Sequence, residues 1–316
     1  EDVETFGRHA RVVFTHDWAA DARRRDFTIN ALYCDADGNI YDPLNGYADV
    51  LARRVRFIGD AAERIREDYL RILRFFRLTA VYGAGPPDPD GLTAAVRERA
   101  GLARLSGERI RQELVRLLAA RRAPELVEAM RDYGLLTMVV PAAPRPRLLH
   151  RLASIEHNLD LRPNAIMRLA ALAVEVVEDA IRLRDRLRLS TAELDTLTRA
   201  AGAPREGLHP DASEAEAKVA LYRHGTRAMR EQLLLNWARS ELKPDDPNAA
   251  ALYALPDRWR PPSFPLGGAD VVAAGIPPGP RVGEILRELE DQWVAAGFVD
   301  GREQLKAKLA RLVAEK

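Results

Sequence analysis

EDYLRILRFFR, residues 67–77, is the stretch on which the reading of this chain turns. Its periodicity predicts one helix, in which Asp68, Arg71, Arg74 and Arg77 follow one another at three-residue steps along one edge. Ile65, Tyr69, Ile72 and Phe76 form the apolar stripe behind that edge. Side by side, Asp68 and Arg71 would present acceptors next to donors. That pattern complements cytosine and adenine, each of which carries an exocyclic amine beside a ring-nitrogen acceptor. It opposes uracil and guanine, which carry a carbonyl beside a ring N–H. A plain surface ion pair fits the same spacing, so the neighbouring sequence has to separate the two.

Working outward, the charge is unevenly spread. The 316 residues sum to a formal charge of +1, but residues 51–122 hold 16 Arg against 9 Asp or Glu, a local balance of +7. Such a basic zone suits a polyanionic partner, and an arginine-rich helix surface is the plainer alternative. Only 5 lysines occur, none before Lys218, which rules out a glycine-rich phosphate loop ending in Lys over the first two thirds. The single cysteine, Cys34, excludes an internal disulfide and a thiolate zinc cluster, and its flanks suggest a half-buried strand position. The 6 histidines lack paired metal spacing. No window approaches the ~18 uncharged apolar residues of a membrane helix, no secretion signal is visible, and the cytoplasm is the default.

Organisation follows from turn and cap signals. His9 to Thr15 reads as a strand, Asp17 to Arg24 as a short polar helix, and Phe27–Cys34 with Asn39–Tyr41 as strands around a DADGN turn. Almost everything from Asp60 onward reads as helix. Ser106 starts one helix, Pro124 another that stops at Gly134. Ser190 with Glu193, Ser213 with Glu216, and Asp300 with Glu303 have capping-box spacing. Ile285, Leu289 and Trp293 form one terminal stripe, and Leu305, Leu309 and Leu312 the next. The fold class is therefore α+β, predominantly α.

Three linked motifs, RRDFTINAL (24–32), DPLNG (42–46) and EDYLR (67–71), resemble those of the class II tRNA nucleotidyltransferases, or CCA-adding enzymes, and the bacterial poly(A) polymerases. LSGERIRQEL (105–114) looks like that family's helix-supporting motif, and residues 264–286 look like its carboxyl-terminal segment. The resemblance implies the remnant of a nucleotidyltransferase head sheet over 1–58, then a helical neck (59–140), body (141–262) and tail (263–316). It places Arg25 and Asp26 near the phosphates and ribose of an incoming nucleotide, roles that suit a guanidinium fork and a carboxylate acceptor. It makes Asp68 and Arg71 the protein template for C and A, with Arg74 and Arg77 reaching the nucleotide or its triphosphate. Asn30 would brace the local turn, Asp42 and Gly46 would form a head–neck hinge, and Glu67 would hold Arg71 or Arg25.

The implied activity is template-independent addition of C and A, from CTP and ATP, to the 3′ end of tRNA. A poly(A) polymerase acting on other RNA 3′ ends and a non-catalytic RNA-binding protein on the same fold are the alternatives. No obligate protein partner is evident. Transfer in this superfamily uses Mg2+ held by an Asp-x-Asp pair ahead of RRDFTINAL. Only 23 residues precede Arg24, so those carboxylates are expected upstream of Glu1, and the chain alone is expected not to catalyse transfer. Asp35-Ala36-Asp37 spells the pattern but falls after the motif, at a hairpin tip; Asp2 and Glu4 resemble a charged loop beyond the last catalytic strand.

Overall fold

The computed structural model describes residues 17–314 and divides into two compact units, 1–201 and 202–316. The expected strand over His9–Thr15 lies outside the described residues. Unit 1 begins with α1 (Trp18–Arg24) and a hairpin of β1 (Tyr33–Cys34) and β2 (Ile40–Tyr41). Helices α2 (Tyr47–Leu51), α3 (Ala61–Glu67), α4 (Leu70–Tyr82), α5 (Pro89–Arg97), α6 (Gly107–Leu118) and α7 (Ala123–Asp132) follow. Then come α8 (Pro146–Asn158), α9 (Ala165–Ala173), α10 (Val177–Leu187) and α11 (Thr191–Glu206), which runs past the division. The fold is α+β and predominantly helical.

Local chemistry explains the first elements. Asp17 caps α1 by accepting from the amides of Ala19 and Ala20, both at 3.0 Å. The hairpin pairs Tyr33 with Tyr41 and Cys34 with Ile40 in antiparallel register. Its strands are shorter than expected, because Thr28–Asn30 forms a 3-10 turn instead. The cause is Asp26, whose Oδ1 accepts from the Phe27 amide and the Asn30 side chain, both at 3.0 Å, and so competes with strand pairing. Phe27 alone makes a bridge, to Phe57. Cys34 is exposed rather than half-buried.

The expected single helix across 65–77 is broken. Asp68 ends α3 in an extended conformation, φ −156° and ψ 107°, and α4 begins two residues later. Asp68 Oδ1 accepts from the Leu70 amide at 3.1 Å, which rewards an Asp at a helix start more than in its interior. The apolar stripe survives the break: Ile65, Ile72 and Phe76 are all fully buried. Phe75 joins Phe27 and Phe57 in an aromatic cluster with centroids 4.7–6.3 Å apart. Helix α4 packs on α6 and α7. Ser106 caps α6, and Gly134, at φ +70°, follows α7. Near the end of α6, buried Arg168 donates to the carbonyls of Leu118 and Ala120 and pairs with buried Glu156 at 2.7 Å.

Unit 2 contains α12 (Glu214–Arg239), interrupted at Gly225 (φ +74°), then α13 (Pro247–Tyr253), α14 (Leu255–Arg258), α15 (Gly268–Ala273), α16 (Pro280–Ala295) and α17 (Arg302–Ala314). Ile285, Leu289 and Trp293 of α16 meet Leu305 and Leu309 of α17 in one core, with Leu312 at its edge. The capping boxes at Ser190 and Ser213 form. The one expected at Asp300 does not: Gly301 donates to Gln304 at 2.6 Å, while Asp300 pairs with Lys308 and Glu303 with Lys306. No helix among the described residues is long and apolar enough to cross a membrane.

A buried polar knot in unit 1 surrounds Asp49, whose side chain is 0% exposed. It accepts from Thr28 Oγ1 at 2.7 Å, Arg54 Nε at 2.8 Å and Arg56 Nε at 2.9 Å. Burial works against the charge, but the Thr28 hydroxyl and the two guanidinium groups outweigh it and hold the carboxyl below the ordinary carboxylate range. A depressed folded pKa stabilises the protein above the unfolded value, about 3.9, and that stabilisation is lost as pH falls through the folded value. Asp49→Asn should therefore cost roughly 2–3 kcal/mol at pH 7 by thermal or urea unfolding, with the gap to wild type closing in acid. A gap that did not change with pH would mean that the charge is not its source.

Candidate functional site

A cleft of about 470 Å³ opens where the RRDFTINAL segment faces the start of α4 and α6. Arg24, Arg25, Asp26, Asn30, Asp68, Leu70, Arg71, Arg74 and Arg109 line it. Five of the six residues expected at a nucleotide, namely Arg25, Asp26, Asp68, Arg71 and Arg74, thus share one cavity with Asn30. Arg77 does not line it. Its Nε instead meets Glu113 Oε2 on α6 at 2.5 Å, a pair in which both side chains are mostly buried. One turn further along α4, the arginine step has left the cleft and become a link between helices.

Each lining residue is held by its neighbours. Asp26 is buried, and its Oδ2 accepts from Arg74 Nε at 2.6 Å while Oδ1 takes Phe27 N and Asn30 Nδ2. Asn30 therefore braces the turn. Arg24 and Arg25 both pair with Asp21, at 2.6 and 3.1 Å. Behind them, Arg64 Nη2 donates to the carbonyls of Arg24 and Arg25. Glu67 accepts from Arg64 and from Arg71. It thus holds Arg71 directly and the backbone at Arg25 through Arg64.

The helix break reassigns the partners of the proposed base readers. Asp68 does not pair with Arg71; its Oδ2 accepts from Arg109 Nη2 at 2.7 Å. The Arg71 side chain donates through Nη1 to Glu67 and to the Arg64 carbonyl, and makes no other side-chain hydrogen bond among the described residues, while its backbone amide donates to the Asp68 carbonyl at 3.0 Å. A carboxylate offers about four lone-pair sites, so Asp68 keeps acceptors after Leu70 N and Arg109 are served. Arg71 likewise keeps the donors on Nε and Nη2. Donor and acceptor capacity is present in one cleft, on side chains already held in place.

Asp42 and Gly46 lie away from the cleft lining. Asp42 accepts from the amides of Gly46 and Tyr47, both at 2.8 Å, and so starts α2. Gly46 has ordinary helical angles, φ −77° and ψ −18°. Its glycine is required by closeness: a Cβ there would stand 2.4 Å from the Thr28 carbonyl oxygen. Sequence reasoning missed Arg24 and Arg109 as lining residues. Arg109 stands in the LSGERIRQEL motif, whose match to the family was the one available signal.

Among the described residues, no group of three or more His, Cys, Asp or Glu is placed to hold a metal ion. The two carboxylates of the cleft, Asp26 and Asp68, are engaged by Arg74 and Arg109. Asp35 is occupied by its own hairpin: Oδ1 accepts from the amides of Asp37 and Asn39, and Oδ2 from the Asn39 side chain. Asp2 and Glu4 lie outside the described residues.

A family model described as the poly A polymerase head domain matches residues 1–56, and one described as the probable RNA and SrmB-binding site of polymerase A matches residues 88–144. The human protein named CCA tRNA nucleotidyltransferase 1, mitochondrial, is 34% identical over 307 residues, covering 96% of this chain and 69% of that protein. The CCA-adding enzyme of Limosilactobacillus fermentum is 31% identical over 296 residues, covering 92% of this chain and 71% of the relative. The crystal structure of the Bacillus stearothermophilus CCA-adding enzyme in complex with CTP superposes with a TM-score of 0.71 at 25% identity, covering 96% of this chain and 76% of that one. The chain belongs to the class II CCA-adding enzyme and poly(A) polymerase family.

Proposed function

We propose that this chain is part of an RNA nucleotidyltransferase that adds C and A to tRNA 3′ ends, using CTP and ATP. The observation that carries this is the gathering of Asp68 and Arg71, with spare acceptors and donors, beside Arg24, Arg25, Arg74 and Arg109 in one cleft. The relatives are named for CCA addition, and the similar solved structure holds CTP. In the bound state Asp68 accepts from the exocyclic amine of cytosine or adenine, and Arg71 donates to the adjacent ring nitrogen. Uracil and guanine would set a carbonyl against Asp68. Arg25 and Arg74 meet the phosphates, and Asp26 reaches the ribose with whatever acceptor capacity Arg74 leaves it.

The RNA partner lies along the basic region 51–122, which overlaps the matched RNA-binding model at 88–144. Phosphate contacts dominate its affinity, since helices cannot enter the deep groove of A-form RNA, and binding weakens with salt. Head, neck, body and tail over 1–58, 59–140, 141–262 and 263–316 are the functional segments of this reading. Mg2+ is part of it as well, with ligands outside the described cleft. The compartment assigned is the cytoplasm; the human relative is named as mitochondrial, and cell fractionation decides. A poly(A) polymerase is the second reading, favoured by the descriptions of both matching family models.

Titration of the protein with the four nucleoside triphosphates should give CTP and ATP affinities at least about tenfold above those for UTP and GTP. Equal affinities would overturn the base-reading site. Incorporation of both CTP and ATP into tRNA trimmed of its CCA end by the full-length protein is the outcome expected of a CCA-adding enzyme, whereas ATP alone would favour poly(A) synthesis. Asp68→Ala and Arg71→Ala should erode the preference for C and A more than they weaken RNA binding. Arg77→Met, away from the cleft, should lower the melting temperature and leave the base preference intact. Replacing Asp35 and Asp37 with Asn should leave nucleotide binding unchanged, and a marked loss would restore them as site residues.

A further inference from the structure

Asp21 lies outside the cleft lining, yet it touches two of the arginines that form it. Its spacing on α1 is the reason: Arg24 and Arg25 are its i+3 and i+4 neighbours, close to it on the helix surface. Arg24 Nη2 meets Asp21 Oδ1 at 2.6 Å, while Arg25 Nε and Nη2 meet Oδ2 at 3.2 and 3.1 Å. A surface pair of this kind is usually worth little, because water and side-chain entropy compete with it.

Here a third group changes the balance. The Tyr33 hydroxyl, from β1, donates to the same Asp21 Oδ2 at 2.8 Å. The Arg25 guanidinium also lies over the Tyr33 ring, 5.2 Å from its centroid, and Trp18 packs edge-on against that ring at 4.7 Å. The Tyr33 hydroxyl first, and then Arg25, hold the Asp21 carboxyl below its ordinary range, so it is ionised throughout the neutral range. With Arg64 on the carbonyls of residues 24 and 25, both arginines are fixed at the backbone and at the guanidinium.

We propose that Asp21, buttressed by Tyr33, is a positioning residue that presents Arg24 and Arg25 as a rigid pair of cations to the phosphates of the bound nucleotide. The contribution is preorganisation: each long side chain is ordered before the ligand arrives, so less entropy is lost on binding. Asp21 acts through the arginines and touches neither base nor ribose. Its effect therefore falls on triphosphate affinity and is the same for CTP and ATP. The opposite role is a competitor, in which Asp21 neutralises the cations and must be displaced by phosphate; its removal would then tighten binding.

This inference rests on the nucleotide reading above, and the test separates the two. The protein is titrated with CTP, ATP and the phosphate-free nucleoside cytidine, for wild type and for Asp21→Asn, Asp21→Ala, Asp21→Glu and Tyr33→Phe. Asp21→Asn and Asp21→Ala should weaken CTP and ATP by about threefold to tenfold alike, with cytidine affinity and the CTP-to-UTP ratio unchanged. Tyr33→Phe, which keeps the ring and loses the hydroxyl, should show a smaller loss of the same kind, and Asp21→Glu should recover part of it. Wild type that binds neither CTP nor ATP would sink the nucleotide reading. Normal wild-type binding with Asp21 variants that bind triphosphate equally well or more tightly, or that lose cytidine to the same extent, would sink the positioning role alone.

Discussion

A carboxylate with no access to water must be fully satisfied or it destabilises the fold, and at Asp49 that requirement joins two segments of the chain. Its partners come from Thr28 on one side and from Arg54 and Arg56 on the other. Those bonds bring the RRDFTINAL segment alongside residues 54–58. Once there, Thr28 N donates to the Arg56 carbonyl, Ile58 N donates to the Asp26 carbonyl, and Phe27 pairs with Phe57. The backbone at Asp26 is thereby fixed on both sides. A buried charge outside the cleft lining thus helps set the position of residues that line it.

From Asp26 outward, the cleft is assembled by ion pairs that join elements distant in sequence. Asp26 with Arg74 joins the RRDFTINAL segment to α4, while Asp68 with Arg109 and Arg77 with Glu113 join the two ends of the same region to α6. Sites that read a ligand gain from groups ordered in advance, because the ligand then pays less for immobilising them. The arrangement also explains the preference for arginine. A guanidinium can commit one edge to a carboxylate and still offer N–H groups elsewhere, which an ammonium on a flexible stem does less well.

Most local signals in the sequence translated faithfully where one or two neighbouring residues determine the outcome, the capping box at Asp300 being an exception. Ser106, Ser190 and Ser213 start helices, Gly134 follows one, and the stripes of α16 and α17 meet in a core. The cleft itself was visible through motifs, which place Arg25, Asp26, Asp68, Arg71 and Arg74 together without saying how they are held. The partners were not legible. With 43 arginines in the chain, nothing local distinguishes Arg109 as the partner of Asp68 or Glu113 as the partner of Arg77. The break at Asp68 was hidden for a related reason: the 3.6-residue pattern continues across it, since both helices bury the same face. Periodicity reports which face is buried and is blind to a single residue that leaves the helix.

That break changes how the proposed pair would meet a base edge. On a continuous helix, Asp68 and Arg71 would tend to neutralise one another, and a nucleotide would have to separate them before it could use either. In the observed geometry their existing bonds go outward, Asp68 to Arg109 and Arg71 to Glu67, and their spare capacity remains on two side chains of the same cleft. Recognition by the proposed pair would then require no exchange between Asp68 and Arg71. In the proposed base reading, specificity would come from what each has left after its support is satisfied: acceptors on Asp68 and donors on Arg71, the complement of cytosine and adenine and the wrong pattern for uracil and guanine.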